Sequence, residues 1–125
     1  MITAIFKGCD LPTLAERNQK KTKMNSDYNR RQYNLMLHII SLYQAGEIVM
    51  GQLLDDLSGL QDALIDVGRD WHNAFQDEWG ILEITFAVSR YEQRKLDDQD
   101  RMRVEEAIEE LKQLIRIDLD KLPSE

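Results

Sequence analysis

Histidine, cysteine and carboxylate side chains are the groups in this chain that could bind a metal ion or transfer a proton. The sequence has two histidines, His38 and His72, and one cysteine, Cys9. A di-iron or di-manganese helical bundle requires a Glu three residues before each ligating His, but Leu35 and Arg69 occupy those positions. A single cysteine supports neither an intrachain disulfide nor a cysteine-rich zinc site. We therefore expect no bound metal and no cofactor.

Catalytic patterns of other kinds are also missing from the sequence. There is no glycine-rich phosphate loop and no calcium-loop pattern. Ser, His and Asp are present, but their placement does not mark an activated nucleophile. With 23 Asp and Glu residues in the chain, adjacent carboxylates indicate little about acid–base catalysis. The sequence predicts a protein that is not an enzyme.

The charge is distributed unevenly along the chain. Residues 1–46 hold seven Lys and Arg against three Asp and Glu, whereas residues 47–125 hold nine against twenty, so the two parts differ as +4 and −11. The net charge of −7 disfavours direct binding to nucleic acid, because such binders depend on Lys and Arg contacts to phosphate. We therefore expect the chain to present an acidic surface to a partner.

Length and hydropathy indicate one cytoplasmic domain. A chain of 125 residues with 42% hydrophobic content buries about two-thirds of its unfolded surface on folding. The first residues lack the basic segment and long apolar core of a secretory signal, and no apolar run reaches the ~18 residues of a membrane span. The lone thiol suits a reducing compartment. We expect a soluble protein in the cytoplasm.

Apolar residues recur at spacings of three and four in four segments, which predicts four amphipathic helices. The predicted helices run from Ser26 or Asp27 to Ala45, from Glu47 to Val67, from Trp71 to Glu92, and from a cap at Asp97 to Asp120. Residues 1–25 are expected to form a short helix or irregular arm. The predicted fold is all-α, an antiparallel bundle of four long helices in a single domain over 1–125, with its core over 26–122.

Each predicted helix has an inward stripe. The residues expected to face the core include Leu35 and Met36; Val49, Leu53, Leu57, Leu60, Leu64 and Val67; Trp71, Phe75, Trp79, Leu82 and Phe86; and Val104, Ile108, Leu111, Ile115 and Leu119. Of the aromatic residues on the inward stripe of the third helix, we expect Trp71 to be the least buried, and we expect Glu83 to be half-buried. On the last helix, Glu105, Glu106, Glu109 and Glu110 face outward, largely compensated by pairs such as Glu109 with Lys112.

Two acidic patterns stand on neighbouring predicted helices. On the second helix Asp55, Gly59, Asp62 and Asp66 step by four, three and four, which would align three carboxylates beside a residue without a side chain. On the third helix Asp70, Asn73, Asp77 and Gly80 step by three, four and three. Either pattern also fits an ordinary solvated helix face. Our hypothesis is a joint partner-binding surface with a shallow notch at Gly59, formed by Asp55, Gly59, Asp62, Asp66, Asp70, Asn73 and Asp77.

The middle third of the chain resembles a known class of proteins. The stretch from Leu53 to Ala87, with the segment WHNAFQDEWGILE at residues 71–83, is similar to small acidic helical bacterial proteins that include immunity proteins of contact-dependent growth inhibition and polymorphic toxin systems. The resemblance implies a stoichiometric inhibitor that binds the C-terminal domain of its cognate toxin and covers or distorts the active site. It carries over an acidic binding face and no individual residue.

A nuclease toxin domain needs a cationic cleft for its substrate, and an acidic helical face attracts such a cleft at long range. We therefore expect an immunity protein whose partner is a basic toxin domain. The alternative is a helical adaptor or assembly protein that acts by homo- or hetero-oligomerisation. Light scattering distinguishes the two, because a stable homodimer that is insensitive to salt favours the alternative.

Overall fold

The computed structural model describes the backbone of residues 14–122 and the side chains of residues 25–122. Four helices occupy this part of the chain: α1 (Leu14–Gln44), α2 (Met50–Ala63), α3 (Arg69–Tyr91) and α4 (Asp98–Lys121). Residues 14–122 contain no strand, which confirms the all-α class. Among the described residues, none of the helices combines the length and the apolar content that a membrane span requires.

Helix α1 starts earlier than the sequence indicated. It begins at Leu14 rather than at Ser26 or Asp27, so residues 14–25, which were expected to belong to a short helix or irregular arm, are part of the first long helix. Residues 1–13 of the predicted arm lie outside the described residues. At its other end α1 stops as predicted, because Gly46 adopts a φ of 80°. The Gly46 N–H then donates to the Tyr43 carbonyl and the Glu47 N–H to the Leu42 carbonyl, which satisfies the end of the helix.

Helix α2 is shorter than predicted at both ends. It begins at Met50 instead of Glu47 and ends at Ala63 instead of Val67. The C-terminal difference follows from the turn, where Leu64 is extended and Asp66 adopts a φ of 56°. The buried Asn29 of α1 holds this turn: its amide accepts a hydrogen bond from the Ile65 N–H at 3.0 Å and donates one to the Ile65 carbonyl at 2.7 Å. This long-range contact overrides the helical pattern of α2.

The fourth helix has the start that its sequence predicts. Asp97 is the N-cap of α4, its carboxylate accepts from the Asp100 N–H, and the Asp100 carboxylate accepts from the Asp97 N–H. Asp100 also binds the Arg94 guanidinium at 2.6 Å. That guanidinium, with the Asp97 backbone bond, holds the pKa of Asp100 below its usual value. The reciprocal cap fixes the α3–α4 turn.

The helices form a closed four-helix arrangement in which each helix contacts its two neighbours in sequence order and α4 returns to α1. The contact between α3 and α4 is the most extensive and that between α2 and α3 the sparsest. The bundle core is made of apolar side chains from all four helices: Tyr33, Met36, Ile40, Met50, Leu53, Leu54, Leu57, Trp71, Phe75, Leu82, Val104, Ala107, Ile108, Leu111 and Ile115. The inward stripe of α4 is confirmed up to Ile115, and Leu119 packs against its edge.

Several predicted burial states are wrong. Val49 is 72% exposed because it lies at the N-cap of α2, before the helix begins. Leu35 is 46% exposed, because Tyr33, Met36 and Ile40 form the buried stripe of α1 instead. Glu83 is exposed. Val49 therefore does not continue the pattern of Leu53 and Leu57, whereas Leu60, Leu64 and Val67 are partly buried against the core.

Trp71 is buried, contrary to the prediction that it would be the least buried aromatic residue. Its indole N–H donates to the Leu114 carbonyl at 2.8 Å, so its polar atom is satisfied inside the protein. The ring stacks on Phe75 at a centroid distance of 5.2 Å and meets Tyr33 edge-on at 5.7 Å. Trp71 thereby joins α1, α3 and α4 at one end of the core.

Candidate protein-binding surface

The seven residues predicted to form the binding surface are all exposed. They are Asp55, Gly59, Asp62, Asp66, Asp70, Asn73 and Asp77. None of the five carboxylates forms an ion pair with a Lys or Arg among residues 25–122. Their negative charge is therefore not neutralised by close cations of the described chain.

On α2 the predicted carboxylates lie beside α3. The Gln61 side chain turns inward and contacts His72 Nδ1 at 3.1 Å and the Gln76 amide. The next residue, Asp62, lines a pocket of about 330 Å³ together with Trp71 and His72. Asp55 lies seven residues earlier, two helical turns away, and so projects on the same side of α2.

Asp66 does not continue the row of α2. It lies in the α2–α3 turn, where its left-handed backbone separates it from the helix. Its carboxylate accepts a hydrogen bond from the Asn25 amide at 3.3 Å. Asp62 and Asp66 nevertheless line the same pocket, beside His72. The structure therefore brings two of the predicted carboxylates together at the end of α2.

Asp70, Asn73 and Asp77 lie on the outer face of α3. The adjacent Glu78 has a raised pKa, to which the negative charges of Glu110, a residue of α4, and Asp77 contribute after burial. By contrast, the α3 side chains that bind α2, His72, Gln76 and Trp79, lie on the opposite flank of the helix. Asp70 is two turns from Asp77 and shares its position around the axis. These two carboxylates therefore lie away from the flank of α3 that contacts α2.

By helical position, the predicted residues of α2 and α3 form two rows. Asp62 borders the pocket beside His72 at the α2–α3 contact, and Asp55 lies two turns earlier on the same side of α2. Asp70 and Asp77 share one side of α3, away from the side chains that contact α2. The single joint surface of all seven residues stays a prediction.

The sequence-based prediction of the site missed Glu78 of α3 and the acidic residues of α4 beside it. Glu78, Glu106 and Glu110 line an open groove of about 670 Å³ between α3 and α4, together with Ile81 and Arg103. Burial raises the pKa of Glu78, and the nearby charges of Glu110 and Asp77 raise it further. Glu109 pairs with Lys112 at 3.2 Å as predicted. Within residues 25–122, however, Glu78, Glu106 and Glu110 form no ion pair, so this face is less compensated than expected.

The outer face of α3 continues beyond its acidic residues as an apolar ridge. Ile81, Ile84, Val88 and Tyr91 extend the row of Asp70, Asn73 and Asp77 at spacings of four, three, four and three. All four are exposed, with Ile84 at 64% and Tyr91 at 90%. We call the full row the α3 stripe: Asp70, Asn73, Asp77, Ile81, Ile84, Val88 and Tyr91. Its first part is acidic and its second part apolar.

The two glycines beside the predicted acidic rows have open space around them. A Cβ atom added to Gly59 or Gly80 would meet no heavy atom within 4 Å. Both residues are inside helices with ordinary backbone conformation. Neither glycine is therefore needed for a close helix contact or an unusual φ, and the notch proposed at Gly59 stays a prediction.

Metal ligands and known relatives give no further assignment. Among residues 25–122, no group of three or more His, Cys, Asp and Glu side chains is arranged to hold a metal ion. Comparison of the chain with protein-family models, with curated proteins and with solved structures found no match. The exposed carboxylates and the α3 stripe are therefore the observations on which a function can be based.

Proposed function

We propose that this chain is an immunity protein that binds and neutralises a cognate bacterial toxin domain, a basic nuclease, through its acidic helical surface. In this proposal the protein works in the cytoplasm as a stoichiometric inhibitor and catalyses no reaction. The observation that carries the proposal is the set of exposed carboxylates without an ion-pair partner among residues 25–122: Asp55, Asp62, Asp66, Asp70 and Asp77. The resemblance of residues 53–87 to immunity proteins supports the same role.

The physical basis is electrostatic attraction between the two proteins. A nuclease domain concentrates Lys and Arg around the cleft that holds the phosphate backbone of its substrate. Carboxylates that already have an intrachain cation contribute little to the outer field, whereas unpaired ones attract a cationic surface before contact. Screening limits this attraction to about 8 Å at physiological ionic strength. The acidic surface therefore speeds the encounter, and shorter contacts must supply most of the affinity.

Expression in bacteria tests the proposal directly. The gene that precedes the gene of this chain should encode a large toxin, and the C-terminal domain of that toxin should stop growth when expressed alone. Coexpression of the wild-type chain should restore growth. The triple variant Asp62→Lys/Asp70→Lys/Asp77→Lys should restore it poorly at equal protein level. If coexpression of the wild-type chain leaves growth arrested, the proposed function is wrong.

A second candidate is the helical adaptor that self-associates. The observation that favours it is the exposed apolar ridge of α3, with Ile84 and Tyr91 the most exposed of its residues. Light scattering at several salt concentrations separates the candidates. A monomer that forms a salt-sensitive one-to-one complex with the toxin domain supports the inhibitor, whereas a salt-insensitive homodimer supports the adaptor.

A further inference from the structure

The apolar ridge and the acidic groove belong to one continuous surface. Ile81 is a member of the α3 stripe and also lines the groove that contains Glu78, Glu106 and Glu110. Ile84, Val88 and Tyr91 extend from Ile81 along the same side of α3. We propose that this α3–α4 surface is the principal docking site for the partner, and that the partner presents apolar side chains ringed by Lys and Arg.

The ridge is too small to form a stable interface by itself. From Ile81 to Tyr91 it covers ten residue steps, or about 15 Å of helix, with a width of about 10 Å. A stable protein–protein interface buries about 800 Å² on each partner. The partner must therefore also cover the surface around the ridge, which includes the carboxylates of Glu78, Glu106 and Glu110 in the groove.

The charge of this surrounding surface selects the type of partner. In a symmetric homodimer the same patch occurs on both chains, so the carboxylates of one copy would lie opposite those of the other. The net charge of −7 adds to this repulsion. Glu78 already experiences the repulsion of Asp77 and Glu110 within one chain. A cationic partner relieves it, whereas a second copy increases it.

The ridge and the carboxylates have separate tasks in this arrangement. Ile84 and Val88 are apolar anchors whose desolvation slows dissociation, and Asp77, Glu106 and Glu110 orient and attract the cationic rim. This inference rests on the proposed function for the identity of the partner, a cationic toxin domain. The inference goes beyond the proposed function because it places the main contact on the α3–α4 side rather than on the α2–α3 side.

The test measures binding of the full chain to the catalytically inactivated C-terminal domain of the toxin encoded by the preceding gene. Ile84→Lys/Val88→Lys should weaken binding by about 30-fold, the effect of losing an interface anchor. Leu35→Lys is the matched control, because Leu35 is also exposed and apolar but lies on α1, which contributes no residue to the α3–α4 groove. It should change the affinity by less than about twofold.

Two further measurements keep the outcome clear. Circular dichroism and thermal unfolding check that each variant folds, and Ile84→Ala/Val88→Ala replaces the lysine variant if it does not. Light scattering of the wild-type chain alone checks for a homodimer, and a dimer that Ile84→Lys dissociates would overturn the inference in favour of a second copy.

The failure of this inference differs from the failure of the proposed function. If the wild-type chain binds the toxin domain and the Ile84/Val88 variants bind equally well, the docking site is elsewhere and only this inference is overturned. If the wild-type chain does not bind the domain at all, the proposed function is overturned and this inference with it. Selective loss on changing Ile84 and Val88 supports both.

Discussion

The inner and outer faces of α3 lie in very different surroundings, although one helix carries both. On the inner face Phe75 and Leu82 are fully buried, and Trp71 stacks on Phe75 and bonds to the Leu114 carbonyl. On the outer face every residue of the α3 stripe is exposed. Packing explains the residues of the inner face. It does not explain an outer face that changes from acidic to apolar, and for this reason we propose that a partner covers that face.

The largest expected effect comes from truncating the inner face. Phe75→Ala removes a fully buried ring and should lower the free energy of unfolding by about 4 kcal/mol. Ile84→Ala, which truncates an exposed apolar residue on the outer face, should change it by less than about 0.5 kcal/mol. Urea unfolding followed by circular dichroism measures both. Equal losses would mean that the outer face also supports the fold.

A smaller effect on the free energy of unfolding, of opposite sign, is expected for a substitution at Gly80, next to the α3 stripe. Gly80→Ala should raise the free energy of unfolding by about 0.5–1 kcal/mol, because alanine favours the helix and its Cβ meets no atom within 4 Å. Gly46→Ala is the contrasting control. Because Gly46 adopts a φ of 80°, this substitution should lower the free energy of unfolding by about 1 kcal/mol. Thermal unfolding tests both, and a destabilising Gly80→Ala would reveal an intrachain constraint on this face.

The smallest effect concerns the acidic groove and depends on pH. The pKa of Glu78 is raised, first by burial and then by Glu110 and Asp77, from an ordinary value of 4.5. The folded chain therefore holds this proton more tightly than the unfolded chain, so the ionised group disfavours folding as the pH rises above 4.5. Glu78→Gln should raise the free energy of unfolding slightly at pH 7, by no more than the ~0.5 kcal/mol typical of a surface substitution, and should leave it almost unchanged at pH 3.

Urea unfolding of the wild type and of Glu78→Gln at pH 7 and pH 3 measures this change in the free energy of unfolding. Glu83→Gln, at an exposed position, is the control. Glu83 is on the same helix but does not line the α3–α4 groove. A Glu78→Gln variant that is less stable than the wild type at pH 7 would show that the carboxylate makes a favourable contact. In that case the groove would not hold uncompensated negative charge.

The accuracy of the sequence-based predictions also differs between regions. Helix α4 was predicted almost completely, because both its Asp97 cap and its inward stripe are local features. The end of α2 was placed too late, because Leu64 and Val67 keep the helical spacing while the turn is fixed by Asn29, which is far away in sequence. Local periodicity does not contain that contact.

The candidate site shows the same limit. Spacing along one helix identified Asp70, Asn73 and Asp77 as members of one face, and they are exposed on one side of α3. The relation between that face and Asp55 or Asp62 depends on how α2 and α3 are rotated, which no single helix encodes. Glu78 was left out of the predicted site for the same reason, since its acidic neighbour Glu110 comes from α4.

The most direct test of the central claim is the rate at which the chain associates with the inactivated toxin domain, measured by stopped flow from low to physiological salt. If unpaired carboxylates attract the partner, the wild-type rate falls steeply with salt. The triple variant Asp62→Lys/Asp70→Lys/Asp77→Lys then associates about tenfold more slowly at low salt, with a flatter salt dependence. An association rate that is the same for both proteins at every salt concentration would contradict the claim.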